Sequence, residues 1–358
     1  MSFDLERLIR SNIRRLRPYS SARSEFVGTA EVFLDANENS FGSPAGDNYN
    51  RYPDPLQMEL KRRIAEMGGV DPSRIFVGNG SDEAIDLLFR IFCEPRIDSC
   101  IVCPPTYGMY RVSAEINDVE VKDVTLTGKF QLDVDAVLAA VSQTTKLIFI
   151  CSPNNPTGNL MRREDVVRIA QEFYGIVVVD EAYIHFSKAG SMVSEIPQLP
   201  NLVVLQTFSK AWGMAGLRVG CAFASTKIIE LMNRVKPPYN LSAIAQRAAA
   251  EALNRREKME AWLDETLYER ERLIGSLSNF NFVRTIYPTD ANFVLIETAD
   301  ANAIYAYLVD ERIVVRNRNN VELCEGCLRI TVGTEKENDR LLTALKAYGA
   351  ETSGQSED

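Results

Sequence analysis

Histidine is nearly absent, since His185 is the only one in 358 residues. That excludes histidine-rich metal sites and most histidine-based triads built within one chain. Long apolar runs are absent too. Runs such as residues 147–151 and 176–179 are short, and none approaches the ~20 residues that cross a bilayer, so no membrane partner is expected. Basic residues are outnumbered, 40 against 49 acidic, for a net charge of −9. Such a surface repels nucleic acid and anionic lipid, although a few buried arginines suffice to hold a small anion. The N-terminus carries no apolar signal stretch, and Asp4 and Glu6 argue against a transit peptide, so a cytoplasmic protein is expected. Seven cysteines, an odd number in a long chain, argue against a disulfide framework. The pairs Cys100/Cys103 and Cys324/Cys327 are too far apart in sequence for a zinc site of paired CxxC motifs. Buried or incidental thiols are the simpler reading, and no metal is expected.

What is present is alternation. The first 30 residues hold Leu5, Leu8, Ile9, Ile13 and Leu16 at near-helical spacing, which predicts a short amphipathic helix. Residues 56–67 read as a helix closed by Gly68-Gly69. From residue 74 short apolar runs end in polar or Gly-rich loops, and helical segments often follow. Strands are predicted at 74–77, 100–103, 146–151, 176–179, 203–205 and 219–223, with helices at 81–92 and 107–116. The pattern argues for an α/β fold with a mostly parallel sheet. A helical pattern over 242–277, without Gly or Pro until Gly275, carries the chain towards a second domain.

Ligands of open α/β sheets bind at the carboxyl ends of the strands. Those ends offer Gly80-Ser81-Asp82, Tyr107, Asn155, Asp180 with Tyr183, Thr207 with Ser209 and Lys210, and then Arg218. One carboxylate, one amide, one lysine, an aromatic face and a phosphate cup together suit pyridoxal 5'-phosphate. Its aldehyde requires a lysine amine for a Schiff base, and its ring nitrogen an acid that keeps it protonated as an electron sink. Lys210 and Asp180 supply these groups. Gly80, Ser81 and Asp82 open a helix whose N–H groups suit a phosphate, with Thr207, Ser209 and Arg218 completing the cup. Tyr107 is placed to stack on the ring, and Asn155 and Tyr183 to hydrogen-bond its phenolic oxygen. Each piece alone has a blander reading: Asp-Glu-Ala as a helix cap, Gly-x-Gly-Ser as a turn, a loop lysine as a solvated charge. Their order along the chain is what carries weight.

The series Asn155-Pro-Thr-Gly158, Asp180-Glu-Ala-Tyr183 and Thr207-Phe-Ser-Lys210-Ala-Trp-Gly-Met-Ala-Gly-Leu-Arg218 resembles the fold-type I pyridoxal-phosphate aminotransferases. Further pieces are most similar to the histidinol-phosphate branch of that family. They are Arg17-Pro-Tyr19, Leu34-Asp-Ala-Asn37, Arg51-Tyr52-Pro-Asp54, Gly78-Asn-Gly-Ser81, Pro104-Pro-Thr-Tyr107-Gly-Met-Tyr110, Val235-Lys-Pro-Pro-Tyr239-Asn240, Val315-Arg316-Asn-Arg318 and Leu328-Arg329. The resemblance implies a large domain over 31–245, its sheet sandwiched by helices, and a smaller α+β domain over 246–350. It further implies an N-terminal arm over 1–30 serving the small domain and the dimer, while the polar composition of 351–358 predicts a frayed tail. It implies a homodimer in which Tyr52 reaches the cofactor phosphate of the other subunit. Lys210, Asp180 and Tyr183 become the catalytic residues, and Tyr19, Asn37, Arg316 and Arg329 the substrate-binding ones. Arg316 and Arg318 lie in one charged loop, and Arg316 is the one assigned. The implied reaction is transfer of the amino group of histidinol phosphate to 2-oxoglutarate, giving glutamate. An aromatic amino-acid aminotransferase, a phosphothreonine decarboxylase and a non-catalytic binding protein of the same fold stay open as alternatives.

Overall fold

The computed structural model describes residues 3–19, 30–46 and 49–354. In chain order the elements are α1 (Leu5–Leu8), α2 (Ser11–Arg15), α3 (Met58–Gly68), β1 (Ile75–Asn79), α4 (Gly80–Phe92), β2 (Ser99–Val102), α5 (Met109–Ile116), β3 (Glu120–Asp123), α6 (Val134–Ala140), β4 (Thr145–Cys151), α7 (Arg163–Glu172), β5 (Ile176–Asp180), β6 (Leu202–Thr207) and β7 (Val219–Phe223). They continue with α8 (Thr226–Val235), α9 (Ala243–Leu253), α10 (Arg256–Leu277), β8 (Val283–Ile286), β9 (Phe293–Thr298), α11 (Ala301–Asp310), β10 (Arg316–Asn317), β11 (Cys327–Thr331) and α12 (Glu335–Gly354).

The first seven strands form one sheet in the order β1-β7-β6-β5-β4-β2-β3. Only β7 runs against its neighbours, β6 and β1; the other pairings are parallel. Continuous apolar runs are what a strand buried on both faces requires. Side chains alternate between the faces: Ile148, Ile150, Val177 and Val179 enter one core, while Leu147, Phe149, Ile176 and Val178 enter the other. Cys100 and Cys103 fall on opposite sides of the sheet in the same way, so they form no common site. The thiols of Cys324 and Cys327 are pushed up to about 12 by burial, which makes them inert packing residues. Among the described residues no group of three His, Cys, Asp or Glu is arranged to hold a metal, and no helix is long and apolar enough to cross a membrane.

The second sheet, β10-β11-β9-β8, is antiparallel. It packs a separate core containing Val294, Ile296, Leu328 and Ile330 against Leu273, Ile304 and Leu345 of the helices α10, α11 and α12. The helix α10 spans both bodies: Met259, near its start, lies in the large core, and Leu277, at its end, in the small one.

Two helical expectations change. The stretch 5–16 is two short helices, because the backbone N–H of Arg10 donates to Ile91 O at 3.0 Å and its guanidinium reaches Glu94 at 3.2 Å. The described part of the arm thereby packs on α4 through Leu8, Ile9 and Ile13, away from the second sheet. The stretch 242–277 breaks at Asn254 and Arg255, where the Asn254 side chain accepts a hydrogen bond from Arg63 of α3.

Candidate active site

The ends of β1, β4, β5 and β6 and the start of β7 share one edge of the large sheet. There Ser81, Asp82, Tyr107, Asn155, Asp180, Tyr183, Thr207, Ser209, Lys210 and Arg218 line a cleft of about 490 Å³, joined by Cys151 and Ala182. Gly80 stands directly behind the lining, its N–H donating to Arg218 O at 2.9 Å.

Asp180 ends β5 and is only 3% exposed. Its Oδ2 accepts from the Tyr110 hydroxyl at 2.7 Å and its Oδ1 from the Ala182 N–H at 3.1 Å. Burial raises its pKa to about 6, against the lowering effect of those two hydrogen bonds. No cation lies within ion-pair distance of it among the described residues. Lys210, in the loop after β6, lies 5.4 Å above the Tyr183 ring and forms no ion pair either. Partial burial in the cleft lowers the pKa of its amine, and the nearby Arg329 lowers it further. An acid without a base and an amine without an acid thus share one cleft.

The cup is built from backbone. The Glu83 carboxylate reaches back to accept from the Asn79 N–H at 2.6 Å, fixing the first turn of α4. Gly220 of β7 crosses so close that a Cβ there would lie 2.3 Å from Ser81 N and 2.4 Å from Gly80 C. At Gly80, with φ near +73°, a Cβ would lie 2.7 Å from an Arg218 nitrogen. Arg218 reaches Ser209 Oγ at 3.3 Å and Asp82 Oδ2 at 3.3 Å. The Thr207 hydroxyl donates to Ser209 Oγ at 3.0 Å. The Tyr107 hydroxyl donates to Asp82 at 3.1 Å, and its ring meets Tyr110 edge-on.

At the mouth, Arg329 of β11 donates to the Asn155 side-chain oxygen and lies 5.1 Å over the Phe293 ring. Phe293 in turn meets Tyr183 edge to face at 5.1 Å. Arg316 of β10 stands directly opposite Arg329 and is exposed.

Within one chain the remaining expected residues are not brought to the cleft. Tyr19 is 76% exposed. Asn37 and Tyr52 line a separate open groove with Tyr49, Arg51 and Tyr239, where Tyr52 stacks on Tyr239 at 4.4 Å. Sequence reasoning did not assign Tyr110, Cys151 or Phe293. Tyr110 had a signal, because it follows Tyr107 by one helical turn and so faces the same way.

The chain matches the family model for aminotransferase class I and II over residues 24–345. It is 54% identical to the histidinol-phosphate aminotransferase of Cytophaga hutchinsonii, over 97% of this chain and 100% of that one. Among solved structures it is similar to the histidinol-phosphate aminotransferase of Clostridium acetobutylicum, with a TM-score of 0.79 at 26% identity, over 85% of this chain and 92% of that one. The Sinorhizobium meliloti histidinol-phosphate aminotransferase, solved in complex with pyridoxal-5'-phosphate, superposes with a TM-score of 0.78 at 25% identity, over 88% and 90% of the two chains.

Proposed function

Given that the chain belongs to the class I and II aminotransferases, and within them to the histidinol-phosphate aminotransferases, we propose that its cleft transfers the amino group of L-histidinol phosphate to 2-oxoglutarate. The products are imidazole-acetol phosphate and glutamate, a step of histidine biosynthesis. The observation that carries this reading is the complementary pair of unpaired groups, the buried Asp180 carboxylate and the Lys210 amine, on one cleft with a backbone cup between β1 and β7.

The residues fit pyridoxal 5'-phosphate. A buried carboxylate with no protein cation calls for a cationic ring nitrogen, and the Gly80/Gly220 crossing leaves room for an oxyanion where side chains would otherwise fill the space. When bound, that group supplies an electron sink for the carbanion at the substrate carbon. Asp180 holds a proton on the ring nitrogen. Ser81, Thr207, Ser209 and Arg218 bind the phosphate, and Asn155 and Tyr183 orient the phenolic oxygen. Lys210, its amine pKa lowered by burial, would serve as the general base and acid that takes the proton from the substrate carbon and hands it on to the bound group. Arg329 grips the anionic end of either substrate, because a guanidinium fork suits carboxylate and phosphate alike. One site thereby serves both half-reactions, and ping-pong kinetics follow.

A homodimer completes the site in this reading. Val32, Leu34, Phe41, Tyr49 and Tyr52 are all exposed along one segment, an apolar surface that a second copy would cover. Tyr52 would then reach the other subunit's cofactor phosphate, with Tyr19 and Asn37 at the substrate. A coupled assay offering histidinol phosphate, phenylalanine and phosphothreonine tests the function. Turnover of histidinol phosphate with glutamate formation is expected. Activity on phenylalanine alone, or release of carbon dioxide from phosphothreonine, would overturn it.

A further inference from the structure

We propose that Arg318 is a third anion-binding group of this site and sets its preference for a phosphorylated substrate over a carboxylated one. The inference rests on the functional reading above and deepens it.

The register of β10 and β11 places Arg316 directly opposite Arg329. Directly opposed residues of an antiparallel pair share a face, and so does the residue two positions on. That residue is Arg318, whose backbone N–H donates to Cys327 O at 2.9 Å and continues the ladder past the end of β10. Arg316, Arg318 and Arg329 therefore project from one face of two adjoining strands. Like charges so arranged repel each other unless an anion lies between them.

The protein supplies no such anion among the described residues, where none of the three arginines forms an ion pair. Partly buried arginines elsewhere in the chain are provided for. Arg10 has Glu94, Arg272 has Glu269 and Asp339, and Arg270 has the carbonyls of Phe186 and Ala291. By contrast the Nε atoms of both Arg318 and Arg329 are buried without a hydrogen-bond partner. Burial lowers the pKa of the Arg318 guanidinium, and Arg329 and Arg316 lower it further, as expected for surplus positive charge. Arg329, on that same face, donates to Asn155 of the cleft lining, so the face that carries Arg318 is the cleft side of the sheet.

The chemistry of the two anionic ends differs. A carboxylate has two oxygens and one charge. A phosphate monoester has three terminal oxygens and close to two charges at neutral pH, so it keeps a whole oxygen and a second charge after one guanidinium fork is satisfied. A third arginine thus gains more from the phosphate than from the carboxylate.

The test is steady-state kinetics of the cofactor-loaded full chain carrying Arg318→Gln or Arg318→Lys. The donors are histidinol phosphate, unphosphorylated histidinol and glutamate, with inorganic phosphate as competitive inhibitor. Arg318→Gln is expected to lower kcat/KM for histidinol phosphate about tenfold or more beyond any fall for histidinol, chiefly through KM. The inhibition constant of inorganic phosphate should rise by a similar factor, and Arg318→Lys should recover part of both losses. Equal falls for the phosphorylated and unphosphorylated donors, or an unchanged phosphate inhibition constant, would overturn the assignment. If the unaltered enzyme ignores histidinol phosphate while its phosphate inhibition still depends on Arg318, the proposed substrate fails and the anion site stands.

Discussion

The Tyr110 hydroxyl donates to Asp180 Oδ2 at 2.7 Å in the interior of the large body, with the tyrosine wholly buried and the acid 3% exposed. The hydrogen bond keeps the acid ionisable in a place that favours its neutral form. Because the folded value, about 6, lies above the usual 3.8, the folded state binds this proton more tightly than the unfolded chain does. Stability of the cofactor-free protein should therefore fall as pH rises from about 4 to about 6, by about 3 kcal/mol from this group, and level off above. Tyr110→Phe removes the donor, so the fall should continue above pH 6. Thermal melts of the cofactor-free protein across pH 4–8 check this. Curves of the same shape for both proteins would show that Tyr110 does not control the acid.

Lys210 forms no ion pair among the described residues and is open to the cleft, so its loss should cost chemistry and little stability. Lys210→Ala should reduce turnover at least about a hundredfold and abolish the visible absorbance of the lysine-bound cofactor, with Tm nearly unchanged. Transamination at a rate near that of the unaltered enzyme would remove Lys210 from the mechanism.

Arg329 is assigned to the anionic end of both substrates. Arg329→Ala should raise KM for glutamate and for histidinol phosphate, each by about tenfold or more, the value of a charged hydrogen bond. Unchanged KM for both would place Arg329 outside the site.

At Gly220 even one methyl group would strike the backbone of Ser81 and Gly80, which no rotamer can relieve. Gly220→Ala should cost about 1–3 kcal/mol of stability and loosen cofactor retention together. Urea unfolding and cofactor release during dialysis report the two effects. A substitution that leaves both as they were would mean that the crossing is not tight.

Lys236 is buried, and its ammonium donates to the carbonyls of Pro55 at 2.7 Å, Pro237 at 3.1 Å and Pro238 at 3.0 Å, and to Asn240 Oδ1 at 2.9 Å. Asn240 also donates to Glu83, the residue that fixes the first turn of α4. Lys236→Met removes the donor to the Pro237 and Pro238 carbonyls and leaves Gln57 alone to serve Pro55 O and Asn240 Oδ1, which should cost about 1–3 kcal/mol while loosening the Tyr52 segment. Limited proteolysis around residues 49–57 should speed up; cleavage at the unaltered rate would contradict a fastening role.

Much of the large sheet is legible in the sequence, because β4 and β5 carry unbroken apolar runs, Leu147–Cys151 and Ile176–Val179, that a doubly covered strand needs. The strand β3 is not, since Glu-Val-Lys-Asp at the sheet edge carries the charges that blunt an edge strand. The two-residue β10 gives no strand pattern at all, and its arginines acquire meaning only from their register with β11. Cleft residues at strand ends are legible because the topology puts every such end on one edge. The spacing from Tyr107 points Tyr110 the same way, but its hydrogen bond to Asp180 is not legible, because that partner lies 70 residues away and nothing local reports the contact. Tyr19, Asn37 and Tyr52 are legible only through resemblance, and they stand outside the cleft of a single chain.

The reversed direction of β7 makes the chain leave the sheet at Thr207 and return at Val219 on the same rim. Lys210 and Arg218 therefore belong to one short excursion, pinned at both feet by adjacent strands. In the proposed reading it would work as a caliper, one jaw meeting an aldehyde and the other a phosphate, with the gap between them set by backbone that cannot stretch. A pyridoxal without its phosphate would leave one jaw empty, and an inserted residue anywhere in 208–218 would spoil the gauge for the natural ligand.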